Sequence, residues 1–310
     1  MVSATFHSPM QAAIDARAEA AARAVSTAPP RNEAVAAAPA PASVATPSPK
    51  PGFDWSEFWM KVLPPLAGIA LLIGIWGMLT FKSTTFPMPA ATFMEAIKVF
   101  SDPFYSKGPN DQGIGWNILF SLERVAVGFG LAALVGIPMG FLIGRFTLLN
   151  SMMSPLISLL RPVSPLAWLP IGLLVFKAAN PAAIWTIFIC SIWPMIINTA
   201  VGVQRVPADY MNVARVLNLS EWKIVTKILF PSVLPYMLTG VRLSVGTAWL
   251  VIVAAEMLTG GVGIGFWVWD EWNNLNVMHI LIAILVIGVV GMLLEWLLVS
   301  VAKRFSYDEV

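Results

Sequence analysis

Apolar residues fall into six long blocks along this chain: about Val62 to Phe81, Phe120 to Phe146, Leu156 to Phe176, Ala182 to Val203, Pro235 to Met257 and Ile280 to Val301. Each approaches the roughly 20 residues a helix needs to cross the hydrocarbon core of a bilayer. The pattern predicts an all-α integral membrane protein with six spans. Pro162, Pro165 and Pro170 interrupt the third block. A broken helix persists in a membrane only where neighbouring protein satisfies the freed backbone groups or the backbone lines a cavity. Pro138 predicts a kink in the second block. Gly136, Gly140 and Gly144 in the second block, and Gly240, Ser244 and Ala248 in the fifth, recur at a spacing of four. Such small-residue stripes let helices approach closely, so both are read as packing faces.

The apolar pattern changes between the fourth and fifth blocks, from Asp209 to Pro231. Tyr210, Val213, Ala214 and Leu217 fall at i, i+3, i+4 and i+7, one apolar face of a helix. Arg205, Arg215, Lys223 and Lys227 give the segment a positive excess, which places it in the cytoplasm. An amphipathic helix standing out of a membrane bundle needs a cover for its apolar stripe: either a groove on another protein or, alternatively, the lipid surface.

The remaining segments are polar connections. Residues 1 to 52 are rich in Ala and Pro and predict a disordered cytoplasmic tail, with residues 53–310 as the transmembrane domain. The tail lacks a continuous apolar core of the kind a secretory signal carries. Between Ser83 and Trp116, Phe93, Ile97 and Phe100 form the apolar side of a short interfacial helix. Trp267, Trp269 and Trp272 follow the fifth block and read as an interfacial aromatic belt. Six spans put both termini on one side. Lys50, Lys61, Arg145, Arg161, Arg205, Arg215, Lys223, Lys227, Lys303 and Arg304 then flank the inner face, against Lys82, Lys98, Lys107 and Lys177 outside. That asymmetry predicts cytoplasmic termini and a multi-pass protein of the cell inner (plasma) membrane.

Composition agrees with this reading. Of 310 residues 57% are hydrophobic and only 12% charged, against roughly a quarter in soluble domains, and the mean hydropathy is +0.75. A net charge of +2, scattered over membrane flanks, gives no nucleic-acid surface. Cys190 is the single cysteine and sits in an apolar run, so no disulfide forms within the chain. His7 and His279 have no metal-ligand spacing. The glycines of Gly260-Gly-Val-Gly-Ile-Gly265 follow no strand and precede no Lys-Ser or Lys-Thr, so they are not a phosphate loop. No ATPase motif and no catalytic constellation occurs, so no catalytic residue, metal or cofactor is assigned to the chain. Transport must use a route between helices and an energy source supplied by another protein.

The charged stretch resembles the cytoplasmic loop of ABC importer membrane subunits. That loop reads Glu-Ala-Ala, three residues, Gly, nine residues, Ile, one residue, Leu-Pro. On that spacing Ala214, Ile228 and Pro231 match, whereas Asn212, Val213, Asn218 and Phe230 depart. Asn at 218 also tolerates the left-handed conformation that ends a helix. The resemblance covers roughly residues 60 to 305. Ser121-Leu-Glu-Arg124, Leu160-Arg-Pro-Val-Ser-Pro-Leu-Ala-Trp-Leu-Pro170 and Gly240-Val-Arg-Leu243 are similar to the nitrate/taurine/sulfonate branch. Ala208 to Arg215 and Val268 to Asn276 look most like its nitrate and bicarbonate permeases.

The resemblance implies a type I ABC importer permease bundle of six helices with a cytoplasmic coupling helix. It implies a second copy of the chain, cytoplasmic ATPase subunits that hold ATP and Mg, and an external substrate-binding protein. Asp209, Tyr210, Asn212, Val213, Ala214, Leu217 and Asn218 are the candidate ATPase-coupling residues, with Tyr210, Ala214 and Leu217 buried in the partner. The implied cargo is a small oxyanion, nitrate or nitrite first, with bicarbonate, cyanate and taurine or alkanesulfonates as alternatives. Two other classes remain open: a secondary transporter or channel, for which an internal repeat is expected, and a membrane enzyme or sensor.

Charges at membrane depth are costly, so each calls for a partner or a task. Arg124 and Glu256 lie at similar depth near the outer face and are candidates for an ion pair. Arg242 lies some ten ångströms inside the inner face, with Glu295 at its level. Paired, it braces the bundle; unpaired, it faces the pathway and attracts a planar oxyanion by forked hydrogen bonds. Asn198, in the fourth span, is a further pathway candidate.

Overall fold

The computed structural model describes residues 55–83 and 85–305, and the expected tail, residues 1 to 52, lies outside them. The chain divides at Leu63 and Pro64 into two units, and the second runs from Pro64 onward. In chain order the helices are α1 (Trp55–Thr80), α2 (Pro89–Val99), α3 (Ile114–Arg145), α4 (Thr147–Leu160), a 3-10 turn (Pro165–Trp168) and α5 (Leu169–Phe176). They continue with α6 (Ala179–Gln204), α7 (Ala208–Val216), α8 (Glu221–Ile224), a π turn (Val225–Leu229), α9 (Phe230–Thr259), α10 (Ile264–Asn273) and α11 (Val277–Phe305).

Five described helices are long and apolar enough to cross a bilayer, and the pair Thr147–Leu160 and Pro165–Phe176, bent by 97°, makes a sixth when its two halves count as one broken span. Two boundaries differ from the sequence reading. The third crossing begins at Thr147 rather than Leu156, and its break falls at residues 161–164. Pro162 and Pro165 cannot donate to the carbonyls of Ser158 and Arg161, so the helix stops there. The fifth crossing begins at Glu221 rather than Pro235. It runs 39 residues to Thr259, about 58 Å at 1.5 Å per residue. That is well beyond a core of roughly 30 Å, so its first turns stand clear of the bilayer.

α6 is the central element, lying between α3 and α9, and both small-residue stripes face it. A Cβ on Gly140 would lie 2.6 Å from Thr199 Cβ, and one on Gly144 would lie 2.6 Å from Val203 Cβ. Only glycine permits this approach. On the opposite side Gly240 meets the Pro194 carbonyl and Asn198, and Ser244 Oγ donates to the Ser191 carbonyl at 2.7 Å. Lipid supplies no hydrophobic drive between helices, so these close contacts and interhelical hydrogen bonds hold the three together. One apolar cluster, with Val125, Ala183, Ile187, Ala248 and Ile252, fills the half nearer α10. Another, with Ala132, Ile143, Met195 and Ile196, fills the middle of α3 and α6. α1 beyond Pro64 stays almost wholly exposed: Leu66, Leu71, Leu72, Met78 and Leu79 face outward.

Candidate functional site

Two constructions stand at opposite ends of the bundle. At one end is α7. Asp209 in its first turn and Arg215 in its last complement the helix dipole. It ends at Asn218, which takes a left-handed φ of 49°, while the Leu219 N–H reaches back to the Ala214 carbonyl at 3.0 Å. Ala214 itself is fully buried, packed with Val203, Ile224, Leu229, Val233 and Met237 of its own chain. The expectation that Ala214 enters a partner is therefore corrected. Its small side chain is what lets α7 lie close against the start of the fifth crossing. The outward face is Tyr210, Val213, Val216 and Leu217, with Val213 57% and Val216 82% exposed. Asp209, Asn212 and Asn218 are also exposed. Arg145, at the end of α3, pairs with Glu221 at 3.2 Å. The two border a cavity of about 310 Å³ with Met211, Arg215 and Asn218.

At the other end Glu256 is 1% exposed and surrounded by donors. The Arg124 guanidinium reaches its carboxylate at 2.6 Å and also donates to the Val262 carbonyl at 2.7 Å and to Asn180 Oδ1 at 2.5 Å. Ser121 Oγ donates to the carboxylate at 2.8 Å and accepts from the Ile264 N–H at 2.9 Å. The Gly265 N–H donates to Glu256 Oε2 at 3.0 Å, and the Gly263 N–H to Asn117 Oδ1 at 2.9 Å. The glycines after the fifth block thus wrap a carboxylate at the start of α10. A Cβ on Gly265 would lie 2.0 Å from the Val253 carbonyl oxygen, and one on Gly263 would lie 2.4 Å from Glu256 Cδ. Trp267 departs from the expected aromatic belt, because it is buried and stacked on His279 at 5.6 Å. Trp269 and Trp272 remain exposed. His279 lies 2.9 Å from Glu271 and 3.5 Å from Glu95. Among the described residues no His, Cys, Asp and Glu side chains form a metal-binding group.

Between the two ends, Arg242 Nε donates to Glu295 at 3.1 Å, and the Arg242 and Glu295 side chains stay 55% and 57% exposed. Asn198 Nδ2 donates to the Pro194 carbonyl at 2.8 Å, within its own helix. The sequence reading missed Arg161, counting it as an inner-flank charge. It sits at the 97° bend, exposed. Flank counting has no view of a bend, so only the paired prolines around Arg161 hinted at it.

Known proteins place this architecture. The family described as the binding-protein-dependent transport system inner membrane component matches residues 135–307. The chain is 47% identical over 249 residues to the nitrate import permease protein NrtB of Leptolyngbya laminosa, covering 80% of this chain and 89% of that one. It is 44% identical over 245 residues to the bicarbonate transport system permease protein CmpB of Synechococcus elongatus, covering 78% and 88%. The fold is similar to an inward-facing MetNI methionine ABC transporter, with a TM-score of 0.56 at 14% identity over 62% of this chain and 95% of that one. The chain belongs to the inner membrane components of binding-protein-dependent transport systems, and is an ABC importer permease subunit.

Proposed function

We propose that the chain is the permease of an ATP-driven importer for a small inorganic oxyanion, nitrate before bicarbonate. The observation that carries the coupling is the outward face of α7. Tyr210, Val213, Val216 and Leu217 stay exposed, although the other side of the same short helix is packed into its own bundle. An apolar helix face of this kind fits a groove on a partner. The partner is a cytoplasmic ATPase subunit that holds ATP and Mg, with Asp209, Asn212 and Asn218 at the rim of the contact. The α7 end therefore lies in the cytoplasm, and the α10 end faces an external substrate-binding protein. Two copies of the chain enclose the route.

The intramembrane charges divide by task. Arg124 and Glu256 brace α3, α9 and α10 at the outer end, since the carboxylate accepts from Arg124, Ser121 and the Gly265 N–H. Arg242 and Glu295 tie α9 to α11 as a brace, and Asn198 serves the α6–α9 contact. The order of anions rests on the relatives, several of which are nitrate import permeases and others bicarbonate permeases.

The test is reconstitution of the permease with its ATPase and binding protein in proteoliposomes, followed by uptake of isotopically labelled nitrate and bicarbonate. ATP-dependent accumulation of nitrate, competed poorly by bicarbonate, supports the reading. Accumulation of bicarbonate alone reverses the order, and accumulation of neither removes the substrate class.

A further inference from the structure

We infer that Arg161, at the break of the third crossing, lines the translocation pathway and reads the charge of the anion at mid-membrane. The inference rests on the oxyanion reading above and names the residue that serves it. Arg161 lies midway in sequence between Arg145, at the α7 end, and Lys177, at the other. Packing gives its depth. Ile157, one turn earlier, packs against the cluster of Ala132, Ile143, Ile192, Met195, Ile196 and Ala200, which runs from the middle of α3 and α6 toward the α7 end. Leu166, just after the break, packs with the cluster of Ala183, Ile187 and Ala248 in the half nearer α10. Position 161 falls between these two layers.

Arg161 is exposed. Unlike Arg124, Arg145 and Arg242, it has no carboxylate partner among the described residues. An unpaired cation facing lipid at this depth is strongly disfavoured, and intramembrane charges of this kind mark ion pathways. The backbone points the same way: the helix is interrupted here by Pro162 and Pro165, and irregular backbone at membrane depth survives where it lines a wet cavity. Guanidinium presents its N–H groups as a planar fork that matches a planar oxyanion. Its charge is permanent, so it attracts nitrate and bicarbonate alike. Discrimination between them then belongs to other groups or to the binding protein.

The test uses the complete importer with Arg161→Cys. Cys190 is the only native cysteine and is buried, so the unmodified chain is the control for labelling. Two methanethiosulfonates are applied, one leaving an ethyltrimethylammonium on the sulfur and the other an ethylsulfonate. A cysteine has no stem with which to reach the interface, so its reaction reports where position 161 lies. The expected result is reaction with both reagents, with assembly and basal ATP hydrolysis unchanged. Uptake falls at least tenfold in the cysteine variant, is restored by the cationic adduct and is not restored by the anionic one. Absence of labelling, or uptake within twofold of the control, overturns the inference. Arg161→Lys gives an independent arm if the cysteine variant fails to assemble: it keeps the charge but loses the fork, so KM rises at least fivefold, and an unchanged KM overturns the inference. If the unmodified importer takes up neither nitrate nor bicarbonate, the substrate reading fails by itself. Labelling at position 161 still decides the pathway assignment.

Discussion

Removing the carboxylate of Glu256 tests the network at the α10 end. Glu256→Ala leaves the Arg124 guanidinium, the Ser121 hydroxyl and the Gly265 N–H without their shared acceptor. The glutamate is 1% exposed and the arginine side chain 14%, so water does little to replace the lost contacts. Breaking a buried pair by deleting one partner costs about 3–5 kcal/mol. That is a large part of a total folding stability of roughly 5–15 kcal/mol. At about 2–4 °C per kcal/mol for a chain of this order, the melting temperature falls by on the order of 10 °C. Intrinsic tryptophan fluorescence of the detergent-purified protein during heating measures it. Glu256→Gln retains a carbonyl for the Gly265 N–H and falls by about half as much. In the double variant Arg124→Ala/Glu256→Ala the loss is smaller than the sum of the single losses, because the second deletion removes the orphaned charge. A drop below about 2 °C in Glu256→Ala, or strict additivity, refutes the reasoning.

Other expectations follow from α7 and the packing stripes. Ala214→Asp places an unpaired carboxylate in the chain's own apolar cluster, so it lowers the yield and melting temperature of the permease alone, by several kcal/mol in stability. Gly140→Leu forces a side chain into Thr199 across α3 and α6. It costs about 1–3 kcal/mol, read as a lower midpoint on heating. Asn218→Val is strained at a φ of 49° and costs about 1–2 kcal/mol, whereas Asn218→Gly leaves the midpoint unchanged or slightly higher.

Hydropathy alone marks the five long spanning helices and the bent pair, because a bilayer demands apolar length and this chain supplies it in separate blocks. The stripes of Gly136 and Gly240 were equally legible, since small residues at a spacing of four have few uses in lipid besides close packing. The face of α7 was not. Tyr210, Val213, Ala214 and Leu217 satisfy the helical period, yet the buried member is Ala214 and the exposed set includes Val216. Periodicity marks a residue as apolar without weighing its size, and it was size that selected Ala214 for the tight contact. The role of the glycines from Gly260 to Gly265 was not legible in the sequence. Their partner is Glu256, which belongs to the preceding helix, and only the tertiary turn brings the two together. Tryptophans at the end of a span commonly sit at the interface; the fold instead tucks Trp267 against His279. Counting charges along the sequence assumes straight spans, so it places Arg161 among the flank charges although Arg161 sits at the bend.

The central claim is that the chain draws its energy through the exposed face of α7. Val213→Asp puts a charge on that face without touching the buried side, so the permease keeps its melting temperature. Affinity purification of the importer then shows whether the ATPase subunits remain bound, and proteoliposomes made from the same preparation show whether ATP drives uptake. The account predicts loss of both retention and uptake in Val213→Asp, with the permease itself folded. A Val213→Asp importer that retains its ATPase and transports at the unmodified rate contradicts it.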